Sequence, residues 1–238
     1  MSADAQHAAL FYTTAQGSLA ARLIGERIAA IWPSAAGQSI LGIGHAGPYL
    51  PPSAGPGEAR SCIALTQAQA GVTRWPTGAR SLSCTAEEDA LPFPDLCFDR
   101  LLLVHGLEAA DNARRLLREA WRVLKDDGRL LVVTPNRRGW WAHVDSTPFG
   151  QGQPYSPGQI ARLLQASLFR VERRDTALYV PPTRFGPILR TAPIWERSGR
   201  LLAPRFAGVT LTEAVKDLYA AVPIKAFARR RRVIHQAG

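Results

Sequence analysis

Two apolar runs joined by one amphipathic helix constrain this chain more than any other feature. Asp99-Arg100 leads into Leu101 to Val104, a run short and β-rich enough for a buried strand, and His105 ends it. A helix follows, with Asp111 or Asn112 as N-cap and Leu116, Leu117, Ala120, Val123 and Leu124 on one face. Lys125-Asp126-Asp127-Gly128 is expected to stop that helix, with Gly128 in the left-handed C′ position. Arg129 to Thr134 reads as the second strand, and Pro135 closes it because proline cannot donate to a ladder. Strands apolar throughout, on either side of a helix, are the mark of a βαβ unit in a parallel sheet covered on both faces.

The same region carries a family resemblance. Leu91-Pro92-Phe93-Pro94-Asp95, then Phe98-Asp99, then Glu119-Ala120-Trp121-Arg122-Val123-Leu124-Lys125 with Gly128-Arg129-Leu130, resembles the middle of the class I S-adenosylmethionine-dependent methyltransferases of the type 11 group. The resemblance spans residues 35–180. It implies one α/β Rossmann-like domain with a seven-stranded, mostly parallel sheet in the order 3-2-1-4-5-7-6, flanked by helices. It divides the chain into an N-terminal helical cover (1–34), a nucleotide-binding core (35–180), a helix plus last strand (181–228) and a basic tail (229–238). S-adenosyl-L-methionine is the cofactor that it implies.

Composition narrows the setting. The 238 residues are 46% hydrophobic, ample for one core. The net charge is +10, and only Lys125, Lys216 and Lys225 of the 29 basic residues are lysine, the rest being arginine. That balance fits an arginine-favouring genome or an anionic partner such as RNA, phospholipid or an acidic protein. Cys62, Cys84 and Cys97 are odd in number and form no CxxC pair, so neither a disulfide scaffold nor a metal site is expected, and a reducing cytoplasm is. No apolar run reaches the length of a membrane span, and no signal peptide is indicated.

Along the chain, Phe11-Tyr12 reads as an anchor onto the core, and Gly17 to Trp32 as an amphipathic helix ended by Pro33. Ser39 to Ile43 is the expected first strand. Gly42-Ile43-Gly44-His45-Ala46-Gly47 spells a GxGxxG string, but Pro48, Pro51, Pro52 and Pro56 leave room for about one helical turn behind it. Set against the methyltransferase pattern, acid-x-Gly-x-Gly-x-Gly, Gly42 stands at the acid, Gly44 keeps the first glycine, Ala46 replaces the second and Pro48 the third. Ser61 to Thr66 reads as the second strand, ending at Thr66-Gln67 where the family places a ribose-binding acid; Gln67 is a neutral acceptor there. Arg80 to Thr85 is the third strand, followed by Glu87-Glu88-Asp89, where the resemblance implies an acid on the adenine amino group, either Glu87 or Glu88.

The candidate cofactor residues are therefore Gly42, Gly44, His45, Gly47, Gln67, Glu87, Glu88 and His105. His105, at the carboxyl end of the fourth strand, is also the candidate catalytic base, with Glu108 placed to orient it. The segment 136–155 follows the fifth strand. It supplies Arg137, Arg138, Trp140, Trp141, His143 and Tyr155 as candidate contacts to a substrate or partner, and its aromatics are expected outside the core. Ser156 to Leu168 is a capped helix, Phe169 to Val180 a sixth strand, Arg184 to Leu202 a helix broken at Pro187 and Pro193, and Gly208 to Val215 the antiparallel seventh strand. Arg229 to Arg232 form a charge block read as a contact arm.

Two functions follow. One is an S-adenosylmethionine-dependent methyltransferase acting on a small or lipid-like acceptor. The other is a catalytically silent chain of the same fold, its donor site lost, serving as a binding or scaffold subunit for a partner protein. An RNA methyltransferase rests on charge alone.

Overall fold

The computed structural model describes residues 8, 10–51, 59–68, 74–76 and 81–219. The sequence-based expectations for Arg80 and for the Arg229–Arg232 block lie outside the described residues. One seven-stranded sheet organises the rest, in the order β3-β2-β1-β4-β5-β7-β6. Its strands are β1 Ser39–Gly44, β2 Ser61–Gln67, β3 Ser83–Ala86, β4 Phe98–Val104, β5 Leu124–Pro135, β6 Phe169–Ala177 and β7 Val209–Lys216. The pairs β1·β2, β1·β4, β2·β3 and β4·β5 are parallel, and β7 runs antiparallel to both β5 and β6.

The pleat sorts side chains between two cores. Ile40, Leu102, Val104, Leu131, Val133, Val209 and Leu211 face one side, under α1 (Ala15–Ile31). Leu41, Ile43, Leu65, Leu101, Leu103, Leu130 and Val132 face the other, under α2 (Ala113–Val123) and α3 (Pro157–Ala166). β4 is buried on both sides, so its unbroken apolar run is what the central position requires. Each leucine removed from water there contributes about 1.5–3 kcal/mol.

The helix ends follow local chemistry. Thr14 caps α1 by accepting from the Gly17 amide, Asn112 caps α2 through the Arg115 amide, and Ser156 with Gln159 forms a reciprocal capping box on α3. α2 buries Leu116, Leu117, Ala120 and Val123. Contrary to the expectation from sequence, Lys125 to Gly128 do not terminate this helix. The helix ends at Val123, and β5 begins at Leu124. Gly128 lies inside the strand, where a Cβ would stand 2.6 Å from Leu124 Cδ1, so close approach and not a left-handed turn requires the glycine.

Arg122 explains the LPFPD segment. It donates to the carbonyls of Leu91 and Phe93 and to the carboxylates of Asp95 and Glu119, while Glu119 accepts from the Leu91 amide. Hydrogen bonding to Glu119 and Asp95 pushes the guanidinium further into its charged form. One arginine of α2 thus folds the loop before β4 onto the helix.

Beyond β6 the chain turns at Leu178, whose φ is +65°. Pro187 and Pro193 do not break one helix there. They sit in the first turns of two, α4 (Gly186–Arg190) and α5 (Ala192–Leu202), where a missing N–H costs nothing.

Candidate functional site

The carboxyl ends of β1, β2 and β4 converge on one polar cluster. At the end of β1, Gly44 takes φ +80°, and a Cβ there would stand 2.4 Å from the Val104 carbonyl oxygen. The tight turn lets the His45 amide donate to that carbonyl at 2.7 Å. At the end of β4, His105 is a non-glycine residue at φ +52°, a conformation that surroundings must hold in place.

Tyr12, Glu108 and Phe149 hold it, with Tyr49 and His45 behind Tyr12. Tyr49 Oη donates to Tyr12 Oη at 3.0 Å, and Tyr12 Oη lies 2.9 Å from His105 Nε2. His105 Nδ1 lies 3.0 Å from Glu108 Oε1. Burial pushes both tyrosine pKa values up, so both hydroxyls keep their protons. The direction of the chain then follows: Tyr49 donates to Tyr12, Tyr12 to Nε2, and the remaining Nδ1–H to Glu108. His45 stacks on Tyr12 with ring centroids 4.6 Å apart, and burial together with the neighbouring His105 lowers its pKa to about 4. Phe149 packs edge-on to His105 at 4.8 Å. Glu108 Oε2 is buried with no partner among the described residues.

A second node lies at the end of β2. Gln67 is buried, and its Nε2 donates to Glu88 Oε1 at 3.1 Å and to the Gly106 carbonyl at 3.2 Å. Glu88 also accepts from the Asp111 and Asn112 amides, at the start of α2. Both neighbours of Nε2 are acceptors, which fixes the amide orientation and leaves Oε1 as the atom Gln67 can offer elsewhere. Glu88 is thereby committed to holding Gln67 and the helix start, while Glu87 is exposed.

Other expected residues divide. Gly42 is closed in: a Cβ there would stand 2.7 Å from Ala46 Cβ and 2.9 Å from Leu50 Cδ1. Gly47 begins the single 3-10 turn Gly47–Tyr49 and lies against Trp75. In the segment after β5, Arg137, Arg138, Trp140 and His143 are exposed. Trp141 is not a surface contact as expected: it is 1% exposed, donates from Nε1 to the Val180 carbonyl, and packs on Phe11 and Phe149. The physical reason is the Asn136 side chain, which bonds the carbonyls of Arg205 and Ala207 and so draws the loop inward. Tyr155 is half-buried, its hydroxyl 3.4 Å from the Leu107 carbonyl.

Sequence reasoning placed His105 and Glu108 together but missed Tyr12 and Tyr49 as their partners. Phe11-Tyr12 was legible only as an anchor. Nothing local to residue 12 signals a bond to a histidine 93 positions away.

Two features together define the class: the strand order 3-2-1-4-5-7-6 and the antiparallel β7, with a polar cluster at the carboxyl ends of the parallel strands. This is the fold of the class I S-adenosylmethionine-dependent methyltransferases. Residues 54–132 match the family model Methyltransf_11, described as a methyltransferase domain. Among solved structures, the chain is similar to a SAM-dependent methyltransferase from Aquifex aeolicus (TM-score 0.54, 13% identity, 90% of this chain and 100% of that one). It is also similar to a putative methyltransferase of Haloferax volcanii in complex with the Trm112 methyltransferase activator (TM-score 0.52, 18% identity, 90% and 93%). Among curated proteins, it resembles the ubiquinone/menaquinone biosynthesis C-methyltransferase UbiE of Enterobacter sp. (strain 638), 46% identical over 48 residues. That match covers 20% of this chain and 19% of the relative, so the chain spans about a fifth of the length of the curated relatives it matches.

Proposed function

We propose that this chain binds S-adenosylmethionine over the carboxyl ends of β1, β2 and β4 and transfers its methyl group to a small or lipid-like acceptor. The observation that carries this reading is a pair of acceptors already held in place. Gln67 Nε2 is committed to Glu88 and Gly106, which leaves Oε1 as the acceptor it could offer a ribose hydroxyl. Glu108 Oε2 is a buried carboxylate oxygen with no partner among the described residues. A buried, unpaired carboxylate oxygen is costly, and the ammonium of the donor's amino-acid end is a group that would satisfy it. Glu108 would then do the work of the acid that position 42 has no room for. The cofactor supplies a methyl group activated on its sulfonium, so the protein's share is alignment and exclusion of water. His105, with Nδ1 turned to Glu108, presents Nε2 as the atom that could take a proton. Tyr12 occupies it at rest, so an acceptor hydroxyl or amine must displace Tyr12 to lose a proton there. The lipid-like end of the acceptor range is favoured by the partial likeness to a protein named for ubiquinone and menaquinone biosynthesis.

One observation favours a second reading, a silent scaffold of the same fold. The crowding at Gly42 and the tyrosine on His105 are what a filled donor site would look like. Calorimetric titration with S-adenosylhomocysteine separates the two. Binding that weakens about ten- to a hundredfold in Glu108→Gln and in Gln67→Ala supports the first reading, the size expected for a lost hydrogen bond to a charged or buried group. Absence of binding in the wild-type chain refutes it and leaves the scaffold.

A further inference from the structure

Helix α5 is built inside out. The side it turns to the protein carries Ala192, Glu196 and Gly199. Ala192 is fully buried, Glu196 accepts from the Tyr179 amide at 2.6 Å, and a Cβ on Gly199 would strike the Tyr179 ring at 2.5 Å. The opposite side carries the apolar residues. Ile194 is 67% exposed, Leu201 82% and Leu202 80%, and Trp195 sits on the same side. At 100° per residue, Leu201, Ile194, Leu202 and Trp195 fall within a 120° sector, with Ser198 between Ile194 and Leu202 turning its hydroxyl back onto the Ile194 carbonyl. Phe185, just before α4, and Phe206, just after α5, are exposed as well. A soluble helix ordinarily does the reverse, and an apolar surface of this kind marks a docking site.

Charge selects the occupant. Residues 178–208 contain five arginines, Arg184, Arg190, Arg197, Arg200 and Arg205, and no lysine. Their one acid is Glu196, which is buried. The solvent side of this unit is therefore apolar and cationic with no anion. A second copy would set arginines against arginines. The leucines also stand proud of the surface instead of lining a groove, as a protein hot spot would require. Protruding leucine, tryptophan and phenylalanine side chains rimmed by arginine suit an interfacial helix on an anionic bilayer. No helix among the described residues is long and apolar enough to cross a membrane, so the contact would be with one surface.

We propose that the α4–α5 unit, residues 185–206, seats this protein on anionic phospholipid membranes, with Ile194, Leu201 and Leu202 inserted below the headgroups. The unit also adjoins the polar cluster: Trp141 bonds the Val180 carbonyl beside α5 and packs on Phe149, which packs on His105. The inference stands apart from methyl transfer, and its test uses no donor.

The experiment is co-sedimentation of the full-length chain with vesicles of phosphatidylcholine, alone or mixed with phosphatidylglycerol, at about 0.1 M and about 1 M salt, which collapses the Debye length from about 10 to about 3 Å. Three chains are compared: wild type, Ile194→Ser/Leu201→Ser/Leu202→Ser, and a chain with Arg229 to Arg232 each changed to Gln. The wild type is expected to partition onto mixed vesicles and to retain part of that binding at high salt. The triple serine variant should lose at least about tenfold in partitioning with an unchanged circular dichroism spectrum, since three inserted apolar side chains are removed. The tail variant should keep the salt-resistant part. If the serine variant does not fold, Arg197→Gln/Arg205→Gln takes its place and should lose the preference for phosphatidylglycerol. The proposal is overturned if wild type ignores both vesicle types, if the serine variant partitions like wild type, or if the wild type instead self-associates through this face in sedimentation velocity.

Discussion

The crossover from β4 through α2 to β5 and the link from β1 to β2 make the same kind of parallel connection by opposite means. The first uses an eleven-residue capped helix that buries four side chains completely. The second, residues 45–60, has one 3-10 turn among its described residues, and Ala46 and Leu50 fill the space against Gly42. In the crossover, sequence is spent on the core. In the link, it is spent on the site: His45 stacks on Tyr12, and Tyr49 bonds it. The described part of the link contains no regular helix, and β1 is flanked by parallel partners on both sides, β2 and β4.

The widest gap between the two regions should appear when each is cut. Leu117→Ala removes a side chain with no exposure from α2, and is expected to cost about 2–5 kcal/mol by urea denaturation, as large-to-small core changes do. A loss below about 1 kcal/mol would mean that the crossover is not the stabilising half.

That asymmetry also explains what could be read in advance. The crossover was legible because apolar period, N-cap and strand length agree over one continuous stretch. The strand order followed from the family resemblance carried by Leu91 to Leu130. The Gly128 error arose because Gly128 after Lys-Asp-Asp imitates a helix stop, whereas the real constraint is the Leu124 side chain over it. The site was legible only where its parts are local, as with His105 and Glu108 three residues apart. The bond from Tyr12 to His105 and the burial of Trp141 depend on packing between distant segments, and no short-range pattern encodes them.

Acid should find the link before it finds the crossover. His45 titrates near 6.5 when unfolded and near 4 in the fold, because burial and His105 disfavour its charge. Between those values the unfolded chain binds a proton that the folded chain refuses, so stability is complete above 6.5 and falls as pH drops toward 4. The loss is expected to reach roughly 2–3 kcal/mol, at about 1.4 kcal/mol per pH unit with some allowance for solvent. Urea midpoints across that window, in wild type and in His45→Gln, check it: the variant should show a flatter pH profile. An equal slope in both would place the acid sensitivity elsewhere.

Adding a side chain at position 42, where the methyltransferase pattern has an acid, should hurt this chain. Gly42→Ala puts a Cβ 2.7 Å from Ala46 Cβ and 2.9 Å from Leu50, an overpacking expected to cost about 1–3 kcal/mol. Gly42→Asp adds a carboxylate to the same closed space and is expected to bind S-adenosylhomocysteine no more tightly than wild type. A gain in affinity on calorimetry would show that the link can open and that Glu108 is not the substitute acid.

The smallest effect on stability is expected next to a buried tryptophan. Trp140 and Trp141 are adjacent in sequence and read alike there, yet one is 56% exposed and the other 1%. Trp141 bonds the Val180 carbonyl and packs on two phenylalanines, so its removal reports on the core and says nothing of the loop's role. Trp140 has no such burden. Trp140→Ala should leave the urea midpoint within about 0.5 kcal/mol of wild type, the range of ordinary surface changes. An effect on methyl transfer, or on capture of a partner, would then be direct evidence that the outer side of the 136–155 loop contacts the acceptor or partner. A stability loss near that of a core tryptophan, about 3–5 kcal/mol, would instead mean that the whole loop belongs to the packed interior.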